Sequence, residues 1–263
     1  MRGGMTEEAF RAELVSLFPE IDTHHIQMYN GFTDRTRVTF ADCKESKTHY
    51  FSPSFTVNFK DKSMWVSLLA PCSPISGAEM LRRLIALARH LQLHTVSLSD
   101  ESDIYLHPSM HGRYECMLPL PYFRILLKGE SWYQSYGFTS EKNAEDREHN
   151  ERIRAMPLRD FVHAIVENEK KEAEDEEGLI GALLETFPEL TADTPVSDAI
   201  QHIVKVVNHL GEEMCNHPSF RLLKRLVEGS ALPGTDGTSL IHYDYKNRTL
   251  HLPMPSNGAN TSS

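Results

Sequence analysis

The sequence predicts an α/β fold: a mixed, mostly antiparallel sheet with flanking helices, followed by a C-terminal helical region and a terminal hairpin. Three observations carry this reading. Apolar residues alternate with polar ones in short runs between Val38 and Leu68. A helical stripe of apolar residues then extends from Met80 to Leu91, and the short β-branched run Thr95-Val96-Ser97-Leu98-Ser99 follows it. A strand, helix, strand order makes the two strands parallel neighbours, so the sheet is mixed.

Taken in order, Thr6 to Phe18 places Phe10, Leu14, Leu17 and Phe18 on one helical face, with Thr6 as N-cap and Pro19 stopping the turn. Val38 and Phe40, then Phe55, Val57 and Phe59, then Met64, Val66 and Leu68 give an antiparallel meander. After Ser73-Pro74-Ile75-Ser76-Gly77, the residues Met80, Leu81, Leu84, Ile85, Leu87, Ala88 and Leu91 form one apolar stripe, with Arg82, Arg83 and Arg89 largely outside it. Asp100 to Pro119 is polar and irregular and reads as a long loop or insertion. Tyr122 to Lys128 is a short helix that Gly129 ends in a left-handed cap; Ser131 caps a further turn closed by Gly137, and Phe138 and Thr139 begin a last strand.

The remainder divides by composition. Residues 1–140 form the α/β domain, 141–177 a charged helix or linker, and 178–252 a helical region. Within it Thr194-Pro195 starts one helix, Gly211 ends it, and a second runs from about Pro218 to Glu228. Leu240 to Tyr245 and Thr249 to Leu252 flank Lys246-Asn247-Arg248 as a closing hairpin, and 253–263 reads as a disordered tail.

Of the 263 residues, 40% are apolar and 24% charged, the balance of a chain that folds. A formal charge of −10 opposes wholesale nucleic-acid binding, which needs clustered Lys and Arg. No apolar run approaches the roughly 20 residues of a membrane span, and the N-terminus lacks a signal-peptide core, so an intracellular, cytoplasmic protein is expected. Cys43, Cys72, Cys116 and Cys215 form no CxxC pair and, in a reducing compartment, read as buried small hydrophobes. Asn247-Arg248-Thr249 and Asn260-Thr261-Ser262 match the glycosylation sequon, which carries meaning only in a secreted chain.

Meander, Gly-containing loop, amphipathic helix, strand, helix and finally Tyr133-Gln134-Ser135-Tyr136-Gly137-Phe138 follow one another in an order that resembles the GNAT N-acetyltransferase superfamily, over roughly Asp34 to Phe138. The resemblance implies a loop that wraps the coenzyme A pyrophosphate with backbone N–H groups at a helix N-terminus, where the helix dipole and unpaired donors favour an anion. In that place stand Ser76, Gly77 and Ala78, the cofactor-binding residues so implied for acetyl-coenzyme A. The family's usual loop is Arg or Gln, two residues, Gly, one residue, then Gly or Ala; only Gly77 is kept, and one Gly before a helix also serves as a plain turn. The Tyr-x-x-x-Gly-Phe ending assigns Tyr133 as the general acid that returns a proton to the coenzyme A thiolate; Trp132, Tyr133 and Phe138 equally suit packing around a Gly cap.

No general base is assigned among Asp100, Glu101 and Asp103, which follow the fifth strand. His107, His111 and Cys116 approach a zinc spacing, but Pro108 makes their segment a loop and no metal is expected. No Gly-x-Ser-x-Gly elbow, HExxH, P-loop or dinucleotide fingerprint is present. Two functions follow: an N-acyltransferase that moves an acetyl group from acetyl-coenzyme A to an amine on a small molecule or protein, without nucleic-acid or membrane partners; or a non-catalytic GNAT-like interaction or scaffold protein. Oligomeric state and the role of the C-terminal region are not read from the sequence.

Overall fold

The computed structural model describes residues 5–29, 31–41, 52–69, 74–100, 102–106, 114–169, 173–233, 239–243 and 249–254. The chain divides into two compact units, Met1–Ser99 with Thr249–Ser263, and Asp100–Arg248.

In the first unit, helix α1 (Glu7–Leu17) starts where Thr6 Oγ1 accepts from Ala9 N at 3.2 Å, with Glu7 and Glu8 in the first turn, where the helix dipole favours them. Strands β1 (Ile26–Tyr29), β2 (Arg35–Phe40), β3 (Ser54–Asn58) and β4 (Ser63–Leu68) form the antiparallel meander, and α2 (Gly77–His90) crosses over to β5 (Thr95–Ser99), parallel to β4. The last strand, β8 (Thr249–Pro253), pairs antiparallel with the far side of β5, giving the order β1-β2-β3-β4-β5-β8.

Register sorts side chains between the two faces, because the strand period is two. One row, Val38, Phe55, Val66, Leu98 and Leu250, runs across neighbouring strands and is buried. Helix α1 rests on this side: the Phe18 and Phe40 rings lie 4.7 Å apart, and Phe10 meets Phe59 edge-on at 5.6 Å. Arg83 of α2 reaches α1, donating to Leu17 O at 2.9 Å and to Glu20 Oε2 at 2.6 Å. That guanidinium holds the Glu20 carboxyl down at about 2, well below the usual range. The opposite row, Tyr29, Arg37, Thr56, Trp65, Ser97 and His251, takes one residue from each of the six strands and faces away from these helices.

The second unit opens with a small antiparallel pair, β6 (Asp103–Tyr105) and β7 (Met117–Pro119), where the sequence reading expected only a loop. Helices α3 (Leu120–Lys128), α4 (Asn143–Ala155), α5 (Leu158–Asn168), α6 (Ala173–Thr186), α7 (Val196–Asn208) and α8 (Pro218–Ala231) follow. Gly129 (φ +84°) and Gly137 (φ +90°) adopt the left-handed conformation expected of them, ending α3 and the short 3-10 turn Gln134–Tyr136. Phe161 and Ile165 of α5, Ile203 of α7 and Leu223 of α8 share the buried interior.

Four expectations are corrected. The closing hairpin is replaced by the β5–β8 pairing, because a central strand with an open side offers β8 a complete ladder and an apolar partner row. At Phe138 and Thr139 the described residues show a single β-bridge residue, Thr139, rather than a strand, and the chain then runs into α4. The expected domain 1–140 divides at Ser99; of the two alternatives for 141–177, charged helix or linker, the helix holds, since α4 and α5 occupy the segment and α5 buries Phe161, Val162, Ile165 and Val166. Cys116 and Cys215 are bonded to each other, across 99 residues of sequence and with Cα atoms 5.3 Å apart. Spacing cannot disclose such a pair, and it withdraws cysteine usage as support for a reducing compartment. Cys43, Cys72 and most of the expected C-terminal tail lie outside the described residues. Among the described residues, no helix is long and apolar enough to cross a membrane.

Two glycines give opposite expectations for one substitution. A Cβ on Gly229 of α8 would lie 2.5 Å from Ile165 Cγ2, whereas one on Gly181, exposed within α6, meets nothing within 4 Å. Gly229→Ala is expected to destabilise the protein by about 1–3 kcal/mol through overpacking. Gly181→Ala is expected to stabilise it by about 0.4–1 kcal/mol through unfolded-chain entropy and helix propensity. Urea denaturation midpoints of the two variants check the signs.

Candidate functional site

The residues nominated from sequence fall into different units. Ser76, Gly77 and Ala78 begin α2 in the first; Tyr133 belongs to the second.

At the start of α2, Ser76 adopts extended backbone (φ −70°, ψ 158°) and its Oγ accepts from Glu79 N at 3.2 Å, a standard N-cap. Gly77 has open space where a Cβ would stand, so backbone N–H groups here are sterically approachable. The carboxylate of Glu79 shares this first turn and pairs with Arg82 and Arg83. The dipole that would favour an anionic ligand is therefore already partly answered by a side chain.

Tyr133 stands in a compact turn built by its neighbours. Ser131 and Gln134 cap each other: Gln134 N donates to Ser131 Oγ at 3.3 Å, and Ser131 N donates to Gln134 Oε1 at 2.7 Å. Trp132 lies edge-on to Tyr133 at 4.8 Å, and Tyr133 to Phe138 at 6.1 Å. This packing leaves Tyr133 only 6% exposed.

Beside it is a buried polar cluster. Asp100, 1% exposed, accepts from Ser102 Oγ on Oδ1 at 2.6 Å and from the Tyr243 hydroxyl on Oδ2 at 2.5 Å; Ser131 also hydrogen-bonds its carboxylate. Loss of hydration dominates over these donors and pushes the Asp100 carboxyl above its ordinary range. The Tyr133 and Tyr243 phenols are both held above the ordinary tyrosine value, first by burial and then by the Asp100 charge. Near neutral pH both phenols therefore keep their protons. The cluster is a satisfied buried network that ties Asp100, Ser102, Ser131 and Tyr243 together, with Tyr133 beside it.

The segment reaching Tyr243 is pinned again beside it. Asn150, buried on α4, accepts from His242 N and donates to His242 O, both at 2.9 Å, and the His149 and His242 rings stack at 3.5 Å. Sequence reading weighed Asp100 as a base but treated Tyr243 as a hairpin residue, and it did not nominate Asn150. A polar residue on a charged helix gives no sign that it is buried.

Elsewhere in this unit a cleft of about 570 Å³ opens among β7, α3 and α8, lined in part by Tyr122, Glu169, Lys224 and Arg225. Of the three cations that line it, Arg221, Lys224 and Arg225, two are engaged: Lys224 Nζ donates to Glu115 O at 2.9 Å, and Arg225 Nη2 approaches Glu169 Oε2 at 3.4 Å. No group of three His, Cys, Asp or Glu among the described residues is arranged to hold a metal. Cys116, considered with His107 and His111, is committed to Cys215; both histidines and Glu101 lie outside the described residues.

Asp100 makes stability depend on pH. Its folded-state pKa lies above the unfolded value, so the cost of its buried charge is absent below the ordinary carboxylate range and grows as pH rises through that range. The Tm of the protein is expected to fall relative to that of Asp100→Asn as pH rises above about 4, with the gap levelling off once Asp100 is fully ionised. Parallel melting curves from pH 3 to pH 8 check this; a gap that does not change with pH would refute it. In comparisons with known proteins, no family model, no curated protein and no solved structure matches this chain.

Proposed function

We propose that the chain is a non-catalytic interaction protein on a GNAT-like framework. The supporting observation is the state of Tyr133: the side chain that would return a proton to the coenzyme A thiolate is buried, and its phenol is held above the ordinary range beside the Asp100 carboxylate. A general acid works best with a pKa near the operating pH, and this phenol has moved the other way. Its ring and those of Trp132 and Phe138 serve the turn they pack.

A second reading, an N-acyltransferase using acetyl-coenzyme A and an amine acceptor, draws support from β4 and β5 pairing in parallel on either side of α2. The open backbone at Gly77, beside Ser76 and Ala78, also favours it. In that reading Tyr133→Phe lowers turnover and leaves coenzyme A affinity nearly unchanged.

A thermal-shift titration with acetyl-coenzyme A separates the two, since a ligand that binds only the native state raises the apparent stability. The interaction reading predicts no shift up to millimolar ligand; a saturable rise in Tm would replace it with the acyltransferase reading.

A further inference from the structure

The first unit has a sheet face with a composition unlike that of the chain as a whole. Outward positions carry Tyr29 on β1, Arg35 and Arg37 on β2, Trp65 on β4 and His251 on β8, with Ser, Thr, Asn and Gln filling most of the rest. Tyr29 and Trp65 are 49% and 39% exposed, although large aromatic residues ordinarily bury themselves. No Asp or Glu stands at any outward position of the six strands; of the acidic residues close by in sequence, Asp34 and Asp61 sit in the bends and turns between strands, and Asp100, which follows β5, is buried.

Charge is divided in the same sense. Of the 27 Lys and Arg and 37 Asp and Glu, 11 and 10 fall in the first unit, which leaves 16 and 27 in the second. The −10 of the whole chain is therefore a property of Asp100–Arg248, and the unit that carries the sheet face is close to neutral. On that face neither Arg35 nor Arg37 has a carboxylate partner among the described residues; Arg37 lies over the Tyr29 ring, its Cζ 5.8 Å from the centroid. Tyr29 and Trp65 belong to one cross-strand row, with Arg37 and Thr56 between them. Three strand spacings separate the two rings by about 14 Å.

From this row we infer that the outward face of the sheet is a binding platform for single-stranded nucleic acid. Trp65 and Tyr29 each present a ring on which a base can stack, and Arg35 and Arg37 supply phosphate contacts between and beside them. Base stacking on exposed aromatics tolerates any sequence, since every base has a π-face, and guanidinium groups add cation–π and phosphate contacts. A duplex hides those base faces, so the platform selects single strands. A carbohydrate partner would also use aromatic rings, but sugar hydroxyls are best met by carboxylate acceptors, which this face lacks. An acidic protein segment would use the arginines and leave the two rings without a role. The inference rests on the interaction reading and names its partner class. Failure to bind nucleic acid would overturn it while leaving the absence of a coenzyme A shift in place.

The test is fluorescence anisotropy of a fluorescein-labelled oligothymidylate, titrated with the full-length protein at low salt. Saturable binding is expected, tighter than to a duplex of equal length, with log K falling against log salt with a slope of about −1 to −2, as for two phosphate contacts on a single strand. Trp65→Ala is expected to weaken binding by about 5- to 100-fold, as loss of one stacking ring does, and Trp65→Phe to restore most of it. Tyr29→Ala, at a second exposed site, should also weaken it. No saturable binding, equal or tighter binding of duplex, unchanged affinity in both alanine variants, or displacement by polyglutamate as effective as by unlabelled oligothymidylate would each overturn the assignment.

Discussion

The pairing of β8 with β5 is the constraint on which the rest of the organisation depends. Strand β5 is parallel to β4 on one side and antiparallel to β8 on the other, so the sheet is complete only when the chain has returned from Ser99 to Thr249. Everything between those residues forms the second unit. In sequence terms that unit is an insertion between two neighbouring strands of one sheet, and an insertion of this kind requires its own first and last segments to lie together.

The Asp100 cluster meets that requirement within the second unit. Asp100 is its first residue and Tyr243 lies near its end, 143 positions later; their hydrogen bond, with Ser102 and Ser131 around it, joins the segments by which the unit begins and ends. Asn150 holds the same returning segment through the His242 backbone. A buried carboxylate raised by desolvation carries a cost, and breaking such a network on one side costs more because it leaves the charge unpaired. The position of Asp100, directly after a central strand, thus has a structural explanation that does not call for chemistry. Tyr133 rests against this clamp, and the shift of its phenol follows from where it stands.

What could be read from the sequence was local. Thr6 as an N-cap, Gly129 and Gly137 as left-handed closures, the period of two in β2 to β4 and the stripe of α2 are each fixed by a few adjacent residues, and all of them appear in place. The features that no local pattern discloses are pairings across long separations: β5 with β8, Cys116 with Cys215, Asp100 with Tyr243. A single sequence states that Leu250 and Leu252 want a partner strand without naming it, and the nearest apolar run, Leu240 to Tyr245, was a false choice. Strand β1 was legible and missed, since Ile26 and Met28 alternate with Gln27 and Tyr29, although only four residues carry the pattern. At the candidate site, Tyr133 and Ser131 were found because their motif is contiguous. Tyr243 and Asn150 gave no signal, because burial of a polar residue is decided by elements that arrive from elsewhere.

The same division explains why a single net charge misdescribes this chain. Charge over the whole sequence is an average over two units that differ in composition, and it weighs against nucleic acid only if that average describes the surface presented. Screening confines an exposed charge to about 8 Å at physiological ionic strength, so a strand of phosphates laid across β1 to β8 responds mainly to side chains on and around the strands themselves. There the outward positions offer two arginines, no carboxylate and two exposed rings. Alternation along each strand sends the apolar set inward to Phe10 and Phe18, and of the residues it leaves outward Thr39, Ser54 and Ser97 are buried while Tyr29, Arg35, Arg37 and Trp65 are exposed. Polar side chains would be sufficient for solubility at those positions, so the ring of Trp65, set in line with Arg37 and Tyr29, calls for a ligand in a way that the surrounding Ser and Thr do not.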